Sequence, residues 1–128
     1  MKGNTMKRIL FAAMLTFSAP VFAQAQVASS PAFFLINNSY AQLRTVAENC
    51  NLSPETWVSF KATILAVLSV DPKTDVIQVG RAMDSYYREE KSRIGRDCTD
   101  DHRKLYQTAA ENIEFRIERL RSLVREGR

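Results

Sequence analysis

The sequence is poor in the residues from which most catalytic and metal sites are built. Among 128 residues there is one histidine, His102, so a multi-histidine metal site is excluded. With four glycines, the chain holds no Gly-rich phosphate loop, and no GxSxG elbow, HExxH pair or EF-hand loop occurs. A strong charge of one sign is also missing. The formal net charge is +4, but Lys2, Lys7 and Arg8 precede an export-type segment. Without them 15 basic residues face 14 acidic ones, a balance that offers nucleic acid no basic patch. Long apolar runs are absent from the later chain, because Lys61 interrupts the stretch from Trp57 to Val70. What remains, 45% hydrophobic and 25% charged, suits one ordinary folded domain.

The first 25 residues read as a secretory signal peptide. Lys7 and Arg8 form the basic n-region, Ile9 to Ala19 the apolar h-region, and Pro20 breaks it. Ala23-Gln24-Ala25 predicts cleavage before Gln26, and Val21-Phe22-Ala23 permits cleavage before Gln24. Met6-Lys7-Arg8 would serve equally well as a start. Eleven residues fall short of the ~20 that a spanning helix needs. The expected product is a soluble periplasmic or secreted protein, one helical domain over residues 26–128, with no transmembrane span.

That domain shows helical periodicity and no two-residue alternation. In the first helix Phe33, Ile36, Tyr40, Leu43, Ala47 and Cys50 recur at spacings of three and four. Ser30-Pro31 starts it, as cap and first helical residue. A later cap at Asn37 or Asn38 would leave residues 31–36 as an extended arm. Ser53-Pro54 opens the second helix, with Leu52 and Trp57 placed as a hydrophobic staple. Its run Ile64–Val70 is apolar nearly all round, which predicts the most buried helix; the other reading is a partner groove. Asp71-Pro72 is expected to open the third, with Val76, Val79, Met83, Tyr86 and Tyr87 inward. Asp84–Arg88 and Glu89–Arg93 are expected as i,i+4 pairs on its wet side. Gly80 would permit close helix approach, and Gly95 would end the helix. Thr99 caps the fourth, whose stripe runs through Tyr106, Ala110, Ile113, Ile117, Leu120 and Val124. The fold class is therefore all-α, a small antiparallel four-helix bundle.

Two cysteines in an exported small domain predict a disulfide, Cys50–Cys98. In an up-down-up-down bundle both residues lie at the same pole. A reactive thiol is the other reading, but there is no CxxC spacing and no adjacent histidine.

Three further groups merit a chemical reading. Asp100-Asp101-His102 offers oxygen and nitrogen ligands, but consecutive helical residues diverge, so first-turn acids are the expectation. Glu89-Glu90 diverge by ~100° and cannot flank one scissile bond; they read as exposed charge. Arg116, Arg119, Arg121, Arg125 and Arg128 would suit an anionic lipid or acidic partner, or simply a solvated helix end. No catalytic residue, metal ligand or cofactor is expected. One mismatch stands out. Phe34 and Leu35 fall more than ~100° from the stripe that includes Phe33 and Ile36, which makes them candidates for a contact surface with an envelope protein. The other readings are an extended arm packed over the bundle end, or cover by the edge of the fourth helix.

Tyr40-x-x-Leu43-Arg44 before Cys50, then Trp57, Tyr86-Tyr87-Arg88 and Cys98-Thr99, resembles a family of small exported alphaproteobacterial proteins without assigned activity. The chain departs from that pattern at Asp100, where proline is expected, and at Ser85-Tyr86-Tyr87-Arg88, where Gly-Tyr-Arg is expected. The resemblance implies fold and compartment only. A fainter similarity is to acid-stress periplasmic chaperones, which also join two distant cysteines, although their first cysteine precedes the first core helix. The functional expectation is a non-enzymatic envelope accessory protein that binds another protein. The alternative is a periplasmic stress or acid chaperone.

Overall fold

A computed structural model describes residues 30–127; the signal segment, both cleavage positions and Arg128 lie outside the described residues. The described chain is helical, with α1 at Pro31–Asn49, α2 at Glu55–Ser69, α3 at Val76–Ile94, α4 at Asp100–Glu111 and α5 at Ile113–Glu126. It is a helical bundle with one disulfide, Cys50–Cys98, whose Cα atoms are 5.2 Å apart.

Local chemistry explains most helix ends. Ser30 Oγ accepts the Phe33 N–H at 3.2 Å, so α1 starts at the serine and residues 31–36 are helix rather than an extended arm. Asn51, at φ 54, turns the chain in the left-handed conformation that asparagine tolerates, and the Leu52 N–H reaches the Ala47 carbonyl at 2.8 Å. Ser53 Oγ accepts from Glu55 N at 3.2 Å at the start of α2. Gly95, at φ 83, stops α3, its N–H bonded to Lys91 O at 2.8 Å.

The third helix does not open at Asp71-Pro72. The Asp71 carboxylate is occupied by a tight turn, accepting from Lys73 N and Thr74 Oγ1, both at 3.0 Å. Asp75 caps instead, accepting from Ile77 N and Gln78 N. The fourth expected helix is divided into α4 and α5 at Asn112. The Asn112 amide donates to the Thr108 carbonyl at 2.7 Å and its N–H to Ala109 O at 3.3 Å, a local competition with the regular ladder. The division moves Ala109 into the core and leaves Ala110 and Ile113 half-buried, while Ile117, Leu120 and Val124 stay buried as the stripe predicts.

The most buried helix is α1, not α2. It packs against all four other helices and buries nine residues, from Phe33 to Ala47. Small side chains (Ser39, Ala41, Thr45, Ala47) alternate with large ones around it, so neighbours approach from every side. The apolar run in α2 buries only Ile64 and Leu68, and Val70 faces solvent. Gly80 lies buried against Leu65, yet an added Cβ would sit 3.5 Å from Leu65 Cδ1, an ordinary contact. Packing does not demand glycine there. Gly80→Ala is therefore expected to raise the unfolding free energy by about 0.5–1 kcal/mol, the helix-propensity gain. Chemical denaturation measures this; a loss would mean that α2 and α3 approach more closely than this spacing.

Candidate functional site

Three helices bring a mixed polar and aromatic cluster together. α1 supplies Tyr40, Arg44 and Glu48 at successive turns, α2 supplies Trp57 and Lys61, and α3 supplies Asp84, Tyr87 and Lys91. The Arg44 guanidinium lies 4.5 Å from the Trp57 ring and 3.9 Å from the Tyr87 ring, a cation held between two π faces. Its Nη1 donates to Tyr40 Oη at 2.8 Å and to Asp84 Oδ1 at 3.2 Å. Tyr40 donates to Asp84 at 2.8 Å, and Lys61 donates to both Asp84 oxygens at 2.9 Å. The Tyr87 hydroxyl donates to Glu48, which also accepts from Lys91 at 3.0 Å.

The electrostatics follow from those partners. Burial, reinforced by the hydrogen bond to Asp84, pushes the Tyr40 hydroxyl up to about 12. Burial pushes the Asp84 carboxyl up, but Lys61, Tyr40 and Arg44 outweigh it and hold the group below the ordinary carboxylate range. Glu48 is lowered in the same way, with Tyr87 and Lys91 overcoming burial. Carboxylates lowered by folding stabilise the bundle above their unfolded values of 4.5 and 3.8, and that support is lost as pH falls through the folded values. Tyr40 works with the opposite sign. Its contribution is complete below 10 and is lost as pH rises toward 12. Stability measured across pH should therefore fall at both extremes. An Asp84→Asn variant should show a shallower acid fall, and an unchanged slope would remove the carboxylate from the account.

This cluster ties three helices together, and at its Tyr87 and Lys91 end it borders a surface hollow with Arg88, Ser92, Gly95 and Arg96. The pairs expected on the wet side of α3 are therefore different ones. Asp84 meets Arg44 and Lys61 across helices instead of Arg88, because it faces α1 and α2. Arg93 pairs with Glu90 at 2.7 Å instead of Glu89, and Glu90 is buried rather than exposed charge.

The other expected sites resolve plainly. His102 completes a capping box: its N–H donates to Thr99 Oγ1 at 3.2 Å and its Nδ1 accepts the Thr99 N–H at 3.3 Å. Asp100 pairs with Arg103 at 2.8 Å, and among the described residues no metal-binding cluster of three ligands forms. Cys50 and Cys98 are joined, and Asn49 Nδ2 ties the same pole by donating to Gly95 O and Asp97 O.

Phe34 and Leu35 are exposed, at 58% and 42%, but they separate to two sides of α1. Phe34 meets the edge of Tyr86 at 6.2 Å on the α3 side. Leu35 enters a groove between α1 and α5, with Phe115, Leu123, Arg116 and Arg119 on the opposite wall. Phe115, 68% exposed, is the groove residue the sequence reading passed over. Its signal was available, since it sits two residues before core Ile117 and so points away from the core stripe. The arginine array is not uniformly solvated. Arg121 pairs with Glu118 and Arg125 donates to Ser122, whereas Arg116 is half-buried with its Nε on Ser39 Oγ at 2.8 Å.

No family model, curated protein or solved structure matches this chain. Among the described residues, no helix is long and apolar enough to cross a membrane.

Proposed function

We propose that this protein is an exported, non-enzymatic accessory protein of the cell envelope that binds a partner protein through the α1–α5 face. The observation that carries the reading is the grouping of Leu35 and Phe115, two large exposed apolar side chains on different helices, along one groove. Phe34 is also exposed but lies outside this groove, on the α3 side of α1. The disulfide supports a location outside the reducing cytoplasm, as does the signal-like segment before Ala25.

The test is Phe34→Glu combined with Leu35→Glu. Both side chains are substantially exposed, so unfolding free energy is expected to stay within about 0.5 kcal/mol of wild type. Crosslinking of the exported protein to its envelope partner is expected to fail. A loss of several kcal/mol would place both side chains in the core and reject the face.

The chaperone reading has one observation in its favour. Glu48 and Asp84, which join α1 to α2 and α3, lose their pairing when protonated. Reversible dye binding in acid, together with suppression of client aggregation, would favour it over a rigid adaptor.

A further inference from the structure

We infer that the α1–α5 groove takes an apolar segment of a partner protein that carries a carboxylate beside its large apolar side chains, with Arg116 and Arg119 reading that charge. The inference rests on the reading of this face as a protein-binding surface. The floor and walls are apolar, from Ala32 and Leu35 to Phe115 and Leu123. Arg116 and Arg119 are the charged residues lining it, and no carboxylate does. They stand one turn apart on α5, with roughly 5–6 Å between Cβ atoms at that spacing. Neither has an ion-pair partner among the described residues. The Nε of Arg116 is anchored on Ser39 Oγ, which orients the guanidinium and leaves its terminal nitrogens for a carboxylate fork.

At 100° per residue, Glu114, Glu118, Arg121 and Arg125 share the far shoulder of α5, where acids and bases are mixed. Arg116 and Arg119 fall on the shoulder with Phe115 and Leu123; Glu126 at the helix end shares that shoulder but does not line the groove.

Charge also argues against the other occupants. The 29 residues before Ser30 contain no aspartate or glutamate, so they offer these arginines no carboxylate. A second copy whose twofold axis passed through this groove would set each arginine pair against its counterpart. A membrane surface is served by a broad basic field, whereas only two cations front this groove.

A random dodecapeptide display library, selected against the purified oxidised protein, tests the inference. Enriched peptides should carry aspartate or glutamate within a turn of two large apolar residues. Their synthetic versions should lose at least tenfold in affinity for the Arg116→Glu/Arg119→Glu variant and a smaller part for Arg116→Lys/Arg119→Lys, where an ammonium keeps the charge but cannot form the fork. Circular dichroism confirms that each variant folds. Enrichment of neutral or basic peptides, no enrichment, or equal binding to the charge-reversed variant would overturn the inference. So would sedimentation with phosphatidylglycerol vesicles that depends on the same two arginines. Failures of the two readings separate cleanly. Peptides of any charge that require Phe115 preserve the protein-binding face and reject the acidic partner. Acidic peptides indifferent to Phe115→Glu and Leu35→Glu reject the face itself.

Discussion

Replacing Cys50 and Cys98 together by alanine is expected to lower the unfolding free energy by about 2–4 kcal/mol. The bridge spans 48 residues, and closing a loop of that length removes about 4 kcal/mol of entropy from the unfolded chain, an upper figure. The bond joins the end of α1 to the segment between α3 and α4, so it restrains three helices at one pole. The helices themselves do not depend on it. Their buried stripes, from Phe33 and Ile36 to Leu120 and Val124, remain without the bond. Circular dichroism of the double variant should keep its helical signal while the melting temperature falls. Loss of helicity at ambient temperature would mean that the apolar core is insufficient alone. An unchanged melting temperature would mean that the bridge restrains nothing.

The second large effect is expected at Arg44. Arg44→Ala removes a cation from between Trp57 and Tyr87 and deprives Asp84 and Tyr40 of one partner each. Breaking one side of a buried ion pair costs about 3–5 kcal/mol, and the partial exposure of this pair reduces that to about 2–3 kcal/mol. Lys61 still holds Asp84, which sets the ceiling. Arg44→Lys should recover only part of the loss, because an ammonium cannot fill a planar slot between two rings. Trp57 is the chain's single tryptophan, so its fluorescence reports the event directly. Equal stability of the lysine variant and wild type would show that charge alone, without stacking, explains the cluster.

How much was legible in the sequence differs by kind of interaction. Caps that act within three residues were readable at Ser30 and Thr99, each of which accepts a nearby N–H at the expected helix start. At the second helix Pro54 takes the cap position, and Ser53 only accepts from Glu55 N in the turn before it. The disulfide was readable because export and residue count leave few alternatives. The exposure of Phe34 and Leu35 followed from helical angle alone. Errors arose where two local solutions compete. Asp71 and Asp75 both precede helical sequence, and the turn at Thr74 decides between them. Asn112 sits within a continuous apolar stripe, yet its amide finds the Thr108 carbonyl and divides the helix.

Partner choice across helices was the least legible feature. Asp84 has an arginine four residues ahead, but its neighbours in space are Arg44 and Lys61 from other helices. Burial order failed for the same reason. An apolar run such as Ile64–Val70 can sit at the edge, while α1, with a serine and a threonine among its buried residues, sits at the centre. The groove combines residues some 80 positions apart, Leu35 and Phe115. No single-helix pattern contains it.

The most direct measurement of the central claim is site-specific photocrosslinking in the native envelope. A photoreactive amino acid is placed at Phe115, and in a second strain at Lys104, an exposed position on α4. One discrete protein adduct is expected from position 115, none from 104, and its loss when Arg116 and Arg119 are reversed to glutamate. The same adducts from both positions, or an adduct at 115 indifferent to the arginines and to Leu35→Glu, would contradict it.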